Sequence, residues 1–94
     1  MIGEIAVIPQ MDGPGRELIK KMVGEIGGSG LRYRVGAAGT SVQGELDEIL
    51  EATRAVESRL RAEGVARAMI EIRLQIEPHE ETLEHQIEGF AAGS

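Results

Sequence analysis

The chain has no cysteine and no tryptophan, and its 94 residues include one tyrosine and one phenylalanine. Without cysteine there is no disulfide, no thiol nucleophile and no cysteine-based zinc or iron–sulfur site, a composition compatible with a cytoplasmic protein. Two aromatic rings cannot build a platform on which successive bases stack, so the core must be made of Ile, Leu, Val, Met and Ala. Positive charge is also scarce. Ten Lys and Arg stand against sixteen Asp and Glu, for a net charge of −6 and a pI near 4.9. Nucleic acid is therefore not an expected partner, because its binding relies on basic side chains that neutralise phosphates. No apolar run approaches the roughly 18 residues of a membrane span. The opening MIGEIAVIP carries Glu4 where a signal peptide would carry basic residues, so neither a signal peptide nor a span is expected.

What remains is ordinary globular composition, 41% hydrophobic and 28% charged, with length for one domain over residues 1–94. A domain this small buries little more than about 60% of its unfolded surface, so a second face buried by self-association would help to offset the cost of ordering the chain.

Hydrophobic periodicity orders the elements. Ile2 to Pro9 reads as a strand with Ile5 and Val7 on one side and Glu4, Ala6 and Ile8 on the other, with Pro9 ending it or sitting at its edge. Asp12 or Gly13 can cap a helix that has Pro14 in its first turn. Its apolar positions Leu18, Ile19, Met22, Val23 and Ile26 form one stripe, and it closes at Gly27-Gly28-Ser29-Gly30. Leu31–Val35 and Thr40–Gln43 alternate and predict a hairpin across Gly36-Ala37-Ala38-Gly39. Gly44 releases the chain into a second helix of about five turns, with Ile49, Leu50, Thr53, Val56 and Leu60 on its apolar side, Gly64 at its end and Glu45, Asp47 and Glu48 where the helix dipole favours acids.

The last strand sets Ala68, Ile70, Ile72, Leu74 and Ile76 against Met69, Glu71, Arg73, Gln75 and Glu77. Pro78 stops it, and Glu80–Glu88 reads as a short acidic helix anchored by Leu83 and Ile87. The order β-α-β-β-α-β predicts an α+β fold, a ferredoxin-like sandwich with two helices on one face of a four-stranded antiparallel sheet and a short C-terminal helix. The helices cover the aliphatic side. The other face then displays Ile8, Ala6, Met69, Glu71, Arg73, Gln75, Arg32, Arg34 and Gln43, which suits either solvent or a second subunit.

Catalytic patterns are poor. The glycines from 24 to 30 close a helix instead of opening one after a strand, and no GxxxxGK[ST] is present, so no phosphate loop is expected. His79 and His85, in HEETLEH, lack the HExxH spacing; a Glu81–His85 metal site is weaker than a solvated acidic helix, and no metal or cofactor is assigned. The residues Thr40 to Glu45, TSVQGE, have more to offer. The Thr40 hydroxyl, the Tyr33 phenol and the Glu45 carboxylate can match the donors and acceptors of a small polar heterocycle, with Gly39 and Gly44 permitting close approach. The same residues also read as hairpin and helix-cap chemistry.

The run from Leu31 to Ile49, with its pattern YxVxxxGTxxxGExDEI, resembles the signature of the small thiamine-binding protein family, related to the tandem-domain YkoF-like proteins. The likeness continues through Glu63-Gly64-Val65-Ala66-Arg67 and, with the opening strand and Pro9, spans roughly residues 2 to 77. It implies a ferredoxin-like fold, homo-oligomers built through open sheet faces, here a tetramer, and binding of thiamine or its pyrimidine portion, with Thr40, Glu45, Tyr33 and Gly39 as ligand contacts. Family members usually continue from the last strand into a basic segment with an Asp-Arg pair, whereas this chain reads Ile76-Glu77-Pro78-His79-Glu80-Glu81. The expected function is thus non-catalytic binding of a thiamine-like molecule. The alternatives are a structural or regulatory oligomer without a small ligand, or an enzyme using a hidden acid–base pair such as Glu45 with Tyr33.

Overall fold

In the computed structural model, which describes residues 1–10, 13 and 15–76, the elements follow the expected order. They are β1 (Ile2–Gln10), α1 (Arg16–Gly28), β2 (Arg32–Val35), β3 (Thr40–Gln43), α2 (Leu46–Ala62) and β4 (Arg67–Gln75). The strands form one antiparallel sheet in the order β2-β3-β1-β4. This is the ferredoxin-like α+β sandwich. The first strand reaches its central position because it is β-rich on both faces and long enough to pair with β3 along Ile2–Ile5 and with β4 along its whole length.

Register then decides which face each side chain takes. Gly3 pairs with Val42 and Leu74, and Ile5 with Thr40 and Ile72, so these residues share the face toward the helices. Ile5, Val42, Leu18, Met22, Ile26, Leu31, Ile49, Ala52, Val56 and Leu60 form the buried core. The intervening residues, among them Glu4, Ala6, Ile8, Arg32, Arg34, Ser41, Gln43, Met69, Glu71, Arg73 and Gln75, lie on the open face, as the alternation predicts.

Some boundaries differ from the sequence reading. Helix α1 starts at Arg16 behind Gly15, which takes the N-cap position, so Gly13 lies outside the helix and does not cap it. Strand β1 runs through Pro9 to Gln10, because the partner residue Ala68 of an antiparallel pair is reached without a donor from the proline. Strand β4 ends at Gln75. Both helices close on glycines in the left-handed region, Gly30 at φ 86° and Gly64 at φ 74°. Asp12, Pro14 and the segment holding Pro78, the acidic helix and both histidines lie outside the described residues.

The helices also cover less of the sheet than expected. An added Cβ at Gly3 would stand 3.3 Å from Cδ1 of Ile49 and 3.3 Å from Cδ2 of Leu74, so α2 sits over the junction of β1 and β4. With α1 and α2 packed side by side on the inner strands, the aliphatic side of the edge strand protrudes, and Ile72, Leu74 and Ile76 remain exposed.

The two helices are joined at their surface by charge. The ammonium of Lys21 on α1 donates to the carboxylate of Glu63, and Arg59 of α2 lies 3.3 Å from Glu63 and 3.5 Å from Glu25. The hydrogen bond from Lys21 holds the Glu63 carboxyl below its ordinary range; its charge and that of Arg59 act in the same direction, and desolvation opposes them. Because the folded state binds this proton less tightly than the unfolded chain does, the stability contributed is complete above the ordinary carboxylate range and is lost as pH falls through the lowered folded value. Between about pH 5 and pH 3 the parent protein should therefore lose stability more steeply than Glu63→Gln, a difference that shrinks in high salt. Urea titrations at stepped pH measure it, and identical slopes would remove this link from the account.

Candidate functional site

The residues singled out from the sequence do not converge on one point. Thr40 starts β3, paired with Ile5 and Val35, and is 4% exposed in the layer beneath the helices. Glu45 lies beyond the other end of β3, roughly 15 Å away by strand rise. It is exposed at the N-cap position of α2, where its backbone N–H donates to Glu48 Oε1 at 2.9 Å. The carboxylate of Glu48 thus satisfies a donor at the helix start. The bond also locks the entry angle of α2, as does the N–H of Gly44, which donates to the carbonyl of Met1 at 3.0 Å.

Tyr33 shares the helix-facing side of the sheet with Val42, its cross-strand partner. An added Cβ at Gly27 would come within 3.0 Å of the Tyr33 hydroxyl, which places the phenol along α1 at the β2 edge. Tyr33 is 45% exposed.

Gly39 has different neighbours. The β2–β3 connection is closed by the Gly36 N–H donating to the Gly39 carbonyl at 2.8 Å. That turn presses Gly39 against the middle of β1, where an added Cβ would lie 3.0 Å from the Ile5 carbonyl oxygen, 3.2 Å from Cγ of Glu4 and 3.3 Å from Cβ of Ala6. Beside it, on the open face, is a cavity of about 190 Å³ lined by Glu4, Ala6, Val7, Ile8, Ala38, Glu71 and Arg73. Arg73 lies 3.8 Å from Glu4 and 3.9 Å from Glu71. Two carboxylates around one guanidinium leave a local excess of negative charge, which suits a cationic or amine-bearing ring more than an anion.

The carboxylates of Glu4 and Glu71 were not singled out from the sequence as ligand contacts. Strand alternation puts both on the open face, but their flanking of Arg73 depends on the β1–β4 register, in which Glu4 pairs with Arg73 and Ala6 with Glu71. Among the described residues no three metal-ligating side chains come together, and no helix is long and apolar enough to cross a membrane.

Comparison with known proteins adds a family. The sequence profile of a family described as thiamine-binding protein matches residues 3–90. Among curated proteins none matches. Several solved structures share the fold. A hypothetical protein of Methanocaldococcus jannascii is 26% identical with a TM-score of 0.81, over 96% of this chain and 94% of that one. A Thermotoga maritima protein provisionally assigned to thiamine biosynthesis or salvage is 22% identical with a TM-score of 0.84, over 95% and 96%. A domain of unknown function from Bacillus cereus is 23% identical with a TM-score of 0.83, over 95% and 88%.

The close approach at Gly39 makes a direct test of the local geometry. Gly39→Ala forces the connection away from the Ile5 carbonyl, which is backbone and cannot swing aside, and should cost about 1–3 kcal/mol. Gly24→Ala, whose added Cβ meets nothing within 4 Å and which lies inside α1, should instead stabilise by about 0.5–1 kcal/mol. Thermal denaturation of the two variants should show shifts of opposite sign.

Proposed function

The chain belongs to the thiamine-binding protein family, and we propose that it is a non-catalytic binder of thiamine or a related pyrimidine-containing molecule, working as a cytoplasmic homo-oligomer, a tetramer assembled through the open sheet face. The observation that carries this reading is the family match over residues 3–90, which takes in the hairpin-to-helix signature. The tie to the tandem-domain YkoF-like proteins is part of the same proposal, resting on that signature run.

The chemistry agrees. A thiazolium is permanently cationic and suits a chain of net charge −6. An aminopyrimidine offers an amine donor and ring-nitrogen acceptors, which a carboxylate and a hydroxyl can match. In this proposal Thr40 and Glu45 serve as polar contacts, Tyr33 as a wall and Gly39 as the close-approach point beside the cavity. Ligand pockets usually enclose about 300–1,000 Å³, so the 190 Å³ beside Gly39 is a partial site. A second copy laid on the open face closes it, which links assembly to binding.

The same face carries exposed apolar groups at its outer end. Met69 is 57% exposed and pairs in register with Ile8. Met69→Asp would place an unpaired charge in the contact and should shift the oligomer toward smaller species while lowering stability. Light scattering measures the first effect. A parent protein that stays monomeric at high concentration would overturn the assembly.

Because Thr40 and Glu45 stand at opposite ends of β3, they are tested separately. Glu45→Gln removes the charge and turns one acceptor into a donor, so it should weaken thiamine binding by about 1–3 kcal/mol if the carboxylate is directly paired. Folding should survive, since a helix-start dipole interaction is worth only about 0.3–1 kcal/mol. Calorimetric titration of the parent, Thr40→Val and Glu45→Gln, with circular dichroism as the folding check, separates recognition from scaffold. Equal affinity in all three would return both residues to hairpin and cap roles. Thiamine should also bind more tightly than its diphosphate, because Glu45, Asp47 and Glu48 occupy the positive end of α2 that a phosphate would otherwise use.

A further inference from the structure

The sheet ends on one side in β2, four residues long, and on the other in β4, nine residues long. Edge strands are commonly kept from pairing by shortness, by proline or by a bulge. Strand β2 is short, whereas β4 contains no proline and its ladder with β1 runs without a bulge over all nine residues.

The direction of its spare backbone groups follows from β1. The N–H of Gly44 donates to the carbonyl of Met1, which extends the β1–β3 register by one pair, so odd-numbered residues of β1 bond toward β3 and even-numbered ones toward β4. Since Glu4 stands opposite Arg73 and Ala6 opposite Glu71, the odd-numbered residues of β4 bond inward. The N–H and C=O groups of Ala68, Ile70, Ile72 and Leu74 therefore point outward in the plane of the sheet, where no other described strand meets them.

A second β4 laid antiparallel across a two-fold axis must set even-numbered residues against even-numbered ones to use these groups. Charge then chooses among axis positions along the middle of the strand. An axis at Glu71 sets Glu71 against the partner's Glu71, one at Arg73 sets Arg73 against the partner's Arg73, and one at Ile70 sets Arg67 against the partner's Arg73. An axis at Ile72 instead sets Glu71 against the partner's Arg73, and on the side facing the helices it sets Ile72 against the partner's Ile72 and Ile70 against the partner's Leu74. Like charges directly opposite one another oppose pairing, and unlike charges and packed aliphatic pairs favour it.

We propose that two copies of this chain join their β4 strands antiparallel about an axis at Ile72, making one continuous sheet from two four-stranded ones. The pairing covers Ile72 and Leu74, which are 37% and 40% exposed in the single protomer. Arg73 has donors to spare for it, because its side chain is 76% exposed and its contacts to Glu4 and Glu71 are 3.8 and 3.9 Å long. Glu71 and Arg73 also line the open-face cavity, so the same pairing brings the partner's Glu71 and the partner's Arg73 to its rim. An isologous contact closes at two copies, and a face contact combined with this edge contact closes at four. The edge pair itself rests on neither the ligand nor the face contact.

Because the chain has no cysteine, a single introduced thiol reports the axis. In the edge pair the two copies of residue 72 lie about 5.5 Å apart between Cα atoms, within reach of a disulfide, whereas the two copies of residue 74 are separated by roughly 14 Å of strand rise. Under mild oxidation Ile72→Cys should form a linked dimer at least about tenfold faster than Leu74→Cys. An equimolar mixture of Ile70→Cys and Leu74→Cys should link where neither does alone. Equal rates for Ile72→Cys and Leu74→Cys, or faster linking of Leu74→Cys, would overturn the proposal. Amide exchange in the unmodified protein gives an independent reading, since a contact across the open face leaves these in-plane groups open to water. The amides of Ile70, Ile72 and Leu74 should be protected in the assembled protein and exchange at least about tenfold faster once dilution separates the protomers. No protection at high concentration, or protection that survives in separated protomers, would overturn the proposal, the latter by assigning the edge to the protomer's own chain.

Discussion

Two helices on one side of a four-stranded sheet is the constraint from which the other properties of this protein follow. A strand turns alternate side chains to opposite faces, so covering one face leaves the other to find a different environment. Along β1 the contrast is between adjacent residues. Ile5 is buried under the helices, while Glu4 and Ala6 line a cavity on the bare side. A one-residue slip in the β1–β4 pairing would turn the side chains of β4 to the opposite face, and the full nine-residue ladder between them prevents it.

The same constraint explains why the bare face is chemically mixed. A purely polar surface would serve a monomer, and a purely apolar one would make the free chain insoluble. Here Ile8 and Met69 pair at one end of β1 and β4, and Glu4, Glu71 and Arg73 cluster further along. Burying that cluster in an assembly is tolerable because its charges already neutralise one another in part. A small chain without a large aromatic core has the most to gain from such burial.

On the covered side burial is uneven: α2 reaches the junction of β1 and β4, and Ile72, Leu74 and Ile76 of the edge strand stay exposed. The ion pairs among Lys21, Glu25, Arg59 and Glu63 join α1 and α2 on their outer surface.

The order of elements, the one-sided helix packing and the membership of nearly every residue in one face or the other were legible in the sequence, because periods of 2 and 3.6 are local properties that each segment carries by itself. The hairpin signature likewise pointed to the family before any fold was known. The relative placement of the signature residues was not legible. Thr40 and Glu45 are five apart in the chain and look adjacent, yet an extended β3 carries them to opposite ends of the sheet, one buried and one exposed. Glu4 and Arg73 are nearly seventy residues apart and become cross-strand partners. Local pattern determines which way a side chain points. Strand register and the packing of the helices on the sheet, which exist only once the chain has closed on itself, decide what it meets there.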